Sequence, residues 1–458
     1  MPRLREDPTQ RVLNAVEPSG IADSLVKALS VRRVHCERGP LETTSTGRAI
    51  AFAPKEPLSP KRAKVMGNIC REAALGQRPV VALVPAHFDA LDEACAWAYL
   101  RAQGAVLCPN PNVWLETLVM LSCFGLPSGP KTAIVAPPGS WLAAEANQLA
   151  QEARHQGSRF SPIGPTVENV RPTDVVLVER DVFLENRSKK FATIPVVGRA
   201  ELLGERPALV GLRAAISAVE IAGGHVGQVA SGLGTDPDKG PSIDHDRIDN
   251  QWLKLDSIAG DHETKVFLSA AGINVTRQAV ATTPSAAVGK AKKVGFPVEI
   301  KPWAASSPGE ESGCPLEIEI YSAAEVRRAF AAISAAMGET EAPVIVREKP
   351  TPGRHLSVTA MNTEDLGPFV VLRVPGYGSP IASPAPLRSL EALRLAQVVA
   401  SSRTGEAEPD RAGLSDLLRR LSYLISKSDS VDSIELSRII VGAKGDQTVV
   451  VDGRTYRA

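Results

Sequence analysis

Several features that mark particular protein classes are missing from this sequence. Its six cysteines contain no CxxC pair, which argues against a zinc ribbon or a disulfide scaffold and favours a reducing compartment. Lys and Arg total 52 against 51 Asp and Glu, and this balance disfavours a general electrostatic grip on nucleic acid or anionic lipid. No apolar run is long enough to span a bilayer. The N-terminal segment MPRLREDPTQRV contains acidic residues and Pro, whereas a signal peptide would be apolar there and a transit peptide would be poor in acidic residues. We therefore expect a soluble, cytoplasmic protein that binds neither nucleic acid nor membrane.

The first half of the chain has the pattern of a parallel α/β protein. With 458 residues the chain is long enough for two or three domains. From Pro79, apolar runs of strand length such as PVVALV and GAVLCP alternate with helical segments such as DALDEACAWAYLRAQ, joined by short Gly/Pro connections. This alternation is typical of a doubly wound parallel sheet. We predict one such domain over residues 76–222, preceded over residues 1–75 by an extension or an incomplete layer.

Residues 223–250 are rich in Gly, Ser, Pro and Asp, a composition that predicts a linker. Two alternatives lie within it. The glycines could cradle a phosphate, but no strand leads into them, which favours the linker; they are Gly223, Gly224, Gly227, Gly232 and Gly234. The second alternative concerns four residues that either bind a metal ion or form a solvated acidic turn. The turn is favoured because their spacing matches no known metal site. They are Asp244, His245, Asp246 and Asp249.

The remaining part of the chain, residues 251–458, begins with patterned helices and strands. HETKVFLSAAGINV predicts an amphipathic helix that ends near Gly272, and TPSAAVGKAKKV a helix capped by Thr283 or Ser285. GFPVEIK predicts a strand that ends at Lys301 and is followed by a loop of small residues. A lysine at such a loop suits a polyphosphate, because the ammonium offsets charge while backbone N–H groups approach the oxygens. The alternative is a surface lysine at a hairpin.

Five segments, in this order, resemble the ATP-grasp β part of the NDP-forming (ADP-forming) acyl-CoA and acetyl-CoA synthetases, relatives of succinyl-CoA synthetase. They are HETKVFLSAAGINV, AKKVGFPVEIK, VIVREKPTPGRHLSVTAMNTEDLGPFVVL, GEAEPDRAGLSDLLRRLSYLI and IELSRIIVGAKGDQTVVVDGR. RPVVALV, RAQGAVL, GLPSGPKTAIVA and IPVVGRAELLGERPALVGLRAAI similarly resemble the last flavodoxin-like domain of the α part. The resemblance implies a flavodoxin-like doubly wound parallel sheet domain followed by an ATP-grasp (α+β) domain over residues 251–458.

The same resemblance assigns a nucleotide site with ATP and Mg²⁺ as cofactors. Lys301 takes the place of the lysine that contacts the phosphates, and Glu348 that of the acidic residue near the adenosine. Asp452 of VDGR and Glu435 of ELSR match family Mg²⁺ positions, and Ser437 stands where the family has Asn. A serine hydroxyl is a weaker Mg²⁺ ligand than an amide carbonyl, so metal affinity is expected to be reduced.

The chain departs from the family at the two histidines that relay the phosphoryl group. In the α part, the family histidine lies in a loop after the strand that corresponds to PVVAL, and His87 is the only histidine near that place in the sequence. His87 is either a displaced substitute for it or a histidine with no catalytic role. In the β part, the family histidine lies between the strand that ends with the lysine and the next strand. Here PGEESGC occupies that interval, so Glu310 and Glu311 stand where an imidazole and cations are expected. His355 replaces a family Glu and is favoured as an ordinary strand residue.

Two functional hypotheses follow from the resemblance. The first is an acid–thiol ligase of the ADP-forming acetate–CoA ligase type, which joins a carboxylic acid to CoA as ATP becomes ADP and phosphate. The second is a catalytically impaired member that binds nucleotide and acts by regulation or by docking on a partner. The family's CoA-binding Rossmann domain begins with a strand, a GxGxxG turn and a helix, and residues 1–77 do not show this pattern. Binding of CoA would therefore require an α-type partner subunit, a homo-oligomer or an unrecognised site.

Overall fold

The chain divides into two units, Met1–Pro237 and Asp238–Ala458. The computed structural model describes residues 12–16, 20–32, 34–38, 48–127, 129, 132–156, 161–162, 175–179, 193–199, 207–230, 240–303, 317–338, 342–401, 407–427 and 431–457. None of the described helices combines the length and apolar composition needed to cross a bilayer.

Among the residues described for the first unit, the strands form two five-stranded sheets, and both are parallel throughout. The first has the order β2-β1-β3-β4-β5. Its strands are β1 (Val12–Val16), β2 (His35–Arg38), β3 (Ala49–Phe52), β4 (Val80–Leu83) and β5 (Val106–Cys108). The helices of this part are α1 (Gly20–Val31), α2 (Pro60–Leu75) and α3 (Leu91–Ala102). The strands predicted from PVVALV and GAVLCP are therefore confirmed as β4 and β5.

The second parallel sheet has the order β10-β9-β8-β6-β7. Its strands are β6 (Thr132–Val135), β7 (Ser161–Pro162), β8 (Val175–Glu179), β9 (Thr193–Val197) and β10 (Leu209–Val210). The helices of this part of the chain are α4 (Pro111–Cys123), α5 (Trp141–Gln156) and α6 (Leu212–Ala230). The parallel α/β class is confirmed, but the strands of residues 76–222 do not form one sheet. Residues 49–52 pair with β4, so β4 and β5 complete a sheet begun by the N-terminal strands.

Part of the expected linker is helical. Helix α6 continues to Ala230, so Gly223, Gly224 and Gly227 lie within it, while Gly232 and Gly234 are outside the described residues. The helix continues because one face stays buried at helical spacing; its buried residues include Ala215, Ala218, Val219, Ala222 and His225. The acidic turn also begins a helix, α7 (His245–Trp252), whose first turn Asp244 caps by accepting a hydrogen bond from Arg247 N (3.1 Å).

The second unit contains an antiparallel four-stranded sheet with the order β12-β15-β13-β14. Its strands are β12 (Gln278–Ala281), β13 (Val298–Pro302), β14 (Glu317–Ile320) and β15 (Val344–Glu348), and its helices are α9 (Pro284–Val294) and α10 (Ala323–Ala336). Thr283 caps α9 by accepting a hydrogen bond from Ala286 N (3.2 Å), which confirms one of the two predicted caps. Strand β13 extends one residue beyond Lys301 and places that lysine at the end of the sheet.

The second unit also contains an antiparallel six-stranded sheet with the order β11-β20-β19-β16-β17-β18. Its strands are β11 (Ile258–Ala259), β16 (Arg354–Thr363), β17 (Gly367–Arg373), β18 (Ile381–Pro384), β19 (Val431–Val441) and β20 (Thr448–Arg457), and its helices are α8 (Asp261–Ala270), α11 (Ser389–Ser401) and α12 (Arg411–Lys427). Along β16, Leu356, Val358 and Ala360 enter the apolar core with residues of α11 and α12. The alternate residues, including His355, therefore face the opposite side of the sheet.

Candidate functional site

Lys301 joins the two sheets of the second unit. It lies on β13 of the four-stranded sheet, and its Nζ is 2.6 Å from Oδ1 of Asp452 on β20 of the six-stranded sheet. The same ammonium is 3.0 Å from Oδ2 of Asp261, and 20% of the Lys301 side chain is exposed. The sequence-predicted lysine and the sequence-predicted aspartate are thus in direct contact.

Asp261 is held at this junction by the start of a helix. It is the first residue of α8, where the helix dipole favours a negative charge. Its Oδ1 accepts a hydrogen bond from Gly453 N (3.1 Å), next to Asp452 on β20. Its Oδ2 contacts Lys301 and also Lys265 Nζ at 3.2 Å. Asp261 therefore links β20 to two lysines.

Lys265 is a second, buried cation of the cluster. Only 2% of its side chain is exposed, and its Nζ donates to Thr276 Oγ1 (2.9 Å) and Gln278 Oε1 (2.7 Å) as well as to Asp261. Burial lowers the pKa of Lys265 to about 8, against the opposing attraction of Asp261. With this pKa the ammonium keeps its charge near neutral pH, supported by the carboxylates of Asp261 and Asp452.

Arg347 is the third cation and the most deeply buried. Its side chain is 1% exposed; Nε donates to Glu299 Oε2 (2.7 Å), and Nη1 donates to Asp452 Oδ1 (2.5 Å) and Val451 O (3.2 Å). Burial by itself would raise the pKa of Asp452, but the charges of Lys301 and Arg347 outweigh it and hold this pKa well below its usual range. Asp452 is therefore a carboxylate with two cations on one oxygen.

Glu348 is held by Arg277, the residue that precedes β12. Its Oε1 accepts a hydrogen bond from Arg277 N (2.8 Å) and its Oε2 accepts one from Arg277 Nε (2.6 Å). This two-point contact fixes the end of β15, where the chain passes from the four-stranded to the six-stranded sheet. A role of Glu348 beside the adenosine stays a prediction.

Of the three residues assigned to Mg²⁺, the described contacts place Asp452 in the charge cluster, and the role of all three as metal ligands stays a prediction. Glu435 and Ser437 are exposed on β19, where Glu435 pairs with Arg454 and Arg438 pairs with Asp452. Mg²⁺ requires near-octahedral oxygen ligands at about 2.0–2.1 Å, yet Asp452 Oδ1 already contacts two cations. Over the part of the chain that is described, no group of three or more His, Cys, Asp or Glu residues is arranged to hold a metal.

The two histidines weighed in the sequence, His87 and His355, lie on separate elements, and His262 lies beside the cluster, with Nδ1 3.4 Å from Gln278 Nε2. His87 lies in the first unit in the loop after β4; its side chain is 60% exposed, with Nε2 3.4 Å from Asp89 Oδ2. His355 is exposed at the start of β16, which agrees with its interpretation as a strand residue. Glu310 and Glu311 lie outside the described residues.

A cavity of about 480 Å³ opens where β16 begins and β17 and β19 end. Its walls are mainly apolar, with Pro352, Val374, Val399 and Val441, and His355 adds a polar edge. Arg354 also lines it, and its Nη1 donates to Val399 O (2.8 Å) and Ala400 O (2.9 Å) at the end of α11. The volume lies within the range of small-molecule sites.

Sequence reasoning missed Asp261, Lys265, Glu299 and Arg347. Two of them had a readable signal: Glu299 interrupts the apolar run of β13, and Arg347 directly follows Val344, Ile345 and Val346 in β15. A charge within a buried strand requires a partner. The identity of that partner could not be read, since Arg347 and Asp452 are 105 positions apart.

Comparison with known proteins finds similarity in the second unit. Residues 254–455 match the family described as "ATP-grasp domain". One similar curated protein is the 4-hydroxybutyrate–CoA ligase [ADP-forming] of Nitrosopumilus maritimus (strain SCM1), 24% identical over 212 residues, which are 42% of this chain and 30% of that protein. Another is a trans-feruloyl-CoA synthase from an unknown prokaryotic organism, 24% identical over 220 residues, 43% of this chain and 31% of that protein. The match therefore spans about a third of the length of these relatives.

Among solved structures, the chain is similar to the dinucleotide-forming acetyl-coenzyme A synthetase 1 of Ca. Korarchaeum cryptofilum, solved in complex with coenzyme A and Ca-AMPCP. The identity is 22%, the TM-score is 0.42, and the match covers 46% of this chain and 99% of that one. It is also similar to a protein of Pyrococcus horikoshii Ot3, at 20% identity and a TM-score of 0.42, over 46% of this chain and 97% of that one.

Proposed function

We propose that this chain, whose second unit contains a match to an ATP-grasp domain and has acyl-CoA synthetases among its weak homologues, binds a nucleoside polyphosphate whose phosphates lie at the junction of the two sheets of that unit. The observation that carries the proposal is the position of Lys301. Its ammonium lies at the junction of the two sheets, its side chain is 20% exposed, and its ion-pair partners among the described residues are carboxylates that a phosphate could replace. An ammonium in this setting neutralises phosphate oxygens directly.

The cavity at the start of β16 supplies a site for the nucleoside in this proposal. Val441, which lines the cavity, is three residues along β19 from Arg438, the partner of Asp452. Three residues of a strand span about 10 Å. The apolar cavity at Val441 and the charge cluster at Asp452 are therefore about 10 Å apart along the direction of β19. The base and ribose would occupy the cavity while the phosphates extend toward Lys301.

The reaction we propose for this site is that of an acid–thiol ligase. A carboxylic acid would be joined to CoA as ATP becomes ADP and phosphate, as the printed name of the 4-hydroxybutyrate–CoA ligase [ADP-forming] describes for that protein. CoA would come from a partner subunit or from a site elsewhere. The test is incubation of the purified chain with CoA, MgATP and a panel of short and aromatic acids. Acid-dependent formation of ADP supports the ligase, and its absence with every acid contradicts it.

A second candidate is a nucleotide-binding protein that regulates or docks on a partner without turnover. The sequence favours it, because residues 303–316 between β13 and β14 contain no histidine and His87 is exposed beside Asp89. A phosphoryl relay through an imidazole then has no established residue. Acid-stable and acid-labile phosphate should be measured after incubation with radiolabelled ATP. Label on a histidine would contradict this candidate.

Nucleotide binding itself is tested by calorimetric titration of ATP with MgCl₂ into three proteins: the wild type, Lys301→Ala and Lys292→Ala. Lys292 is an exposed lysine in the last turn of α9 and serves as the matched control. Loss of one charge-assisted phosphate contact should weaken binding about tenfold or more in Lys301→Ala. The control should bind as the wild type does. Equal binding by all three proteins would place the nucleotide away from Lys301.

A further inference from the structure

A fixed cation lies at the carboxylate where the resemblance implies a metal. Arg347 is 1% exposed, and three contacts from two strands hold its guanidinium: Glu299 on β13, and the carboxylate of Asp452 and the carbonyl of Val451 on β20. A planar guanidinium held in this way keeps its position and its charge. Arg347 is therefore a permanent neighbour of Asp452.

The second cation on Asp452 is different in kind. Lys301 Nζ contacts the same Oδ1 atom, but Lys301 is 20% exposed and its ammonium has only the two carboxylates of Asp452 and Asp261 as described partners. A flexible lysine can turn from a carboxylate to an arriving phosphate. If Lys301 turns away, Asp452 still has Arg347 at 2.5 Å.

The charges of the cluster already balance. Lys265, Lys301 and Arg347 are matched by three carboxylates, those of Asp261, Glu299 and Asp452. A divalent ion on Asp452 Oδ1 would sit within a few ångströms of the guanidinium, and two cations at that distance repel strongly in a partly buried site. In the protein without nucleotide, the cluster thus supplies positive charge through its own side chains and leaves a divalent ion little compensation.

We propose that Arg347 takes the place of a divalent cation at Asp452, so that this ATP-grasp domain binds a nucleoside polyphosphate without Mg²⁺. The inference rests on the proposed nucleotide site. Arg347 neutralises Asp452, so the carboxylate does not repel the phosphates, and Lys301 turns to contact them. Arg347 is a positioning residue here, because it acts through Asp452 and does not reach the ligand.

The first test compares ATP binding to the wild-type protein in EDTA and in MgCl₂ by calorimetry. We expect dissociation constants that agree within about threefold, because no metal bridges protein and phosphate. Binding that is lost in EDTA and regained with MgCl₂ would overturn the proposal.

Substitution of Arg347 gives the converse result. In Arg347→Gln, Asp452 faces the phosphates uncompensated, so ATP binding in EDTA should fall about tenfold or more and should recover when MgCl₂ is added. Arg347→Gln also leaves Glu299 buried and unpaired, so the double variant Arg347→Gln/Glu299→Gln keeps the test meaningful if the single variant does not fold. Arg328→Gln, at a side chain 78% exposed, is the matched control and should behave as the wild type. An Arg347 variant that folds and binds ATP in EDTA with wild-type affinity would overturn the proposal.

A titration without nucleotide separates this inference from the proposed function. Mn²⁺ added to the nucleotide-free protein is followed by the loss of its free-ion electron paramagnetic resonance signal. The wild type should bind no Mn²⁺ at this site, while the Arg347→Gln/Glu299→Gln variant should gain a site that Asp452→Asn removes. Absence of ATP binding in every buffer would refute the nucleotide site, and this gain of a Mn²⁺ site would still support Arg347 as the replacement for the metal. Mn²⁺ binding by the wild type that Asp452→Asn abolishes would overturn it.

Discussion

Arg347 and Asp452 belong to different sheets of the ATP-grasp domain, and Arg347 Nη1 lies 2.5 Å from Asp452 Oδ1. The contact joins β15 to β20 at the point where Lys301 of β13 meets the same oxygen. One buried cation and one partly exposed cation therefore share a carboxylate. This arrangement gives the junction of the two sheets a constant charge and a separate ammonium that is accessible to a ligand.

Gly353 provides a test of the cavity. A Cβ at this position would lie 2.5 Å from Val441 O and 2.7 Å from Ile440 Cγ2, so β16 and β19 would have to separate where the cavity begins. We expect Gly353→Ala to lower the free energy of unfolding by about 1–3 kcal/mol and to weaken ATP binding. Denaturant unfolding and calorimetry measure the two effects.

Gly289→Ala is the control for that substitution. Gly289 lies inside α9, and a Cβ there meets no atom within 4 Å. Alanine in an open helical position should stabilise the protein by about 0.5–1 kcal/mol. Equal destabilisation by both substitutions would argue against a specific constraint at Gly353.

The buried ion pair of the first unit should contribute more to stability than an exposed pair of similar geometry. Arg32 and Glu116 are 6% and 4% exposed; Arg32 also donates to Ala208 O (3.0 Å), and Glu116 accepts from Val210 N (2.9 Å). Arg32→Met leaves a buried carboxylate without its cation and should cost about 3–5 kcal/mol of unfolding free energy. Chemical denaturation measures the loss.

Arg213→Met supplies the comparison, because Arg213 pairs with Glu152 at 2.7 Å with both side chains largely exposed. Water screens this pair, so its removal should cost at most about 1 kcal/mol. Similar losses in the two variants would show that burial of the Arg32–Glu116 pair has no special effect.

Stability at acid pH should depend on His225. Its side chain is buried on α6, Nδ1 has no hydrogen-bond partner among the described residues, and burial lowers its pKa from 6.5 to about 4. Between pH 6.5 and 4 the unfolded chain therefore binds a proton that the folded protein does not, so the folded state loses stability as pH falls through this window. The contribution is fully present above pH 6.5 and amounts to roughly 2–3 kcal/mol.

The measurement is the free energy of unfolding of wild type and His225→Leu at several pH values between 7 and 4. The variant should lose less stability than the wild type as the pH falls. His245→Leu, at an exposed histidine of α7, should retain the wild-type pH dependence. If His225→Leu follows the wild-type curve, then His225 is not the group responsible.

Local patterns were sufficient for individual elements of the fold. Alternation of strand and helix predicted the parallel strands from β4 onward, and the Thr283 cap and Gly272 at the end of α8 agreed with the structure. The three N-terminal strands were not predicted, because they are short and lie among Pro, Gly and Thr residues. The pairing of β3 with β4 joins residues about 30 positions apart, which no local pattern contains.

The candidate site was predicted in part. Lys301 and Asp452 were named from a resemblance, and the structure brings them within 2.6 Å of each other. Arg347 and Asp261 were not named, since their roles arise only when residues more than 100 positions apart meet. Serine at position 437 pointed to weak metal binding, but the sequence gave no indication that a buried guanidinium would contact Asp452.

The most direct test of the central claim is a crystal structure of the protein with a non-hydrolysable ATP analogue, grown in EDTA. The account predicts phosphate oxygens within hydrogen-bond distance of Lys301 Nζ, the base in the cavity beside Val374 and Val441, and Arg347 still bonded to Asp452. A nucleotide bound elsewhere, or density for it only in crystals grown with Mg²⁺ and with the ion on Asp452, would contradict the account.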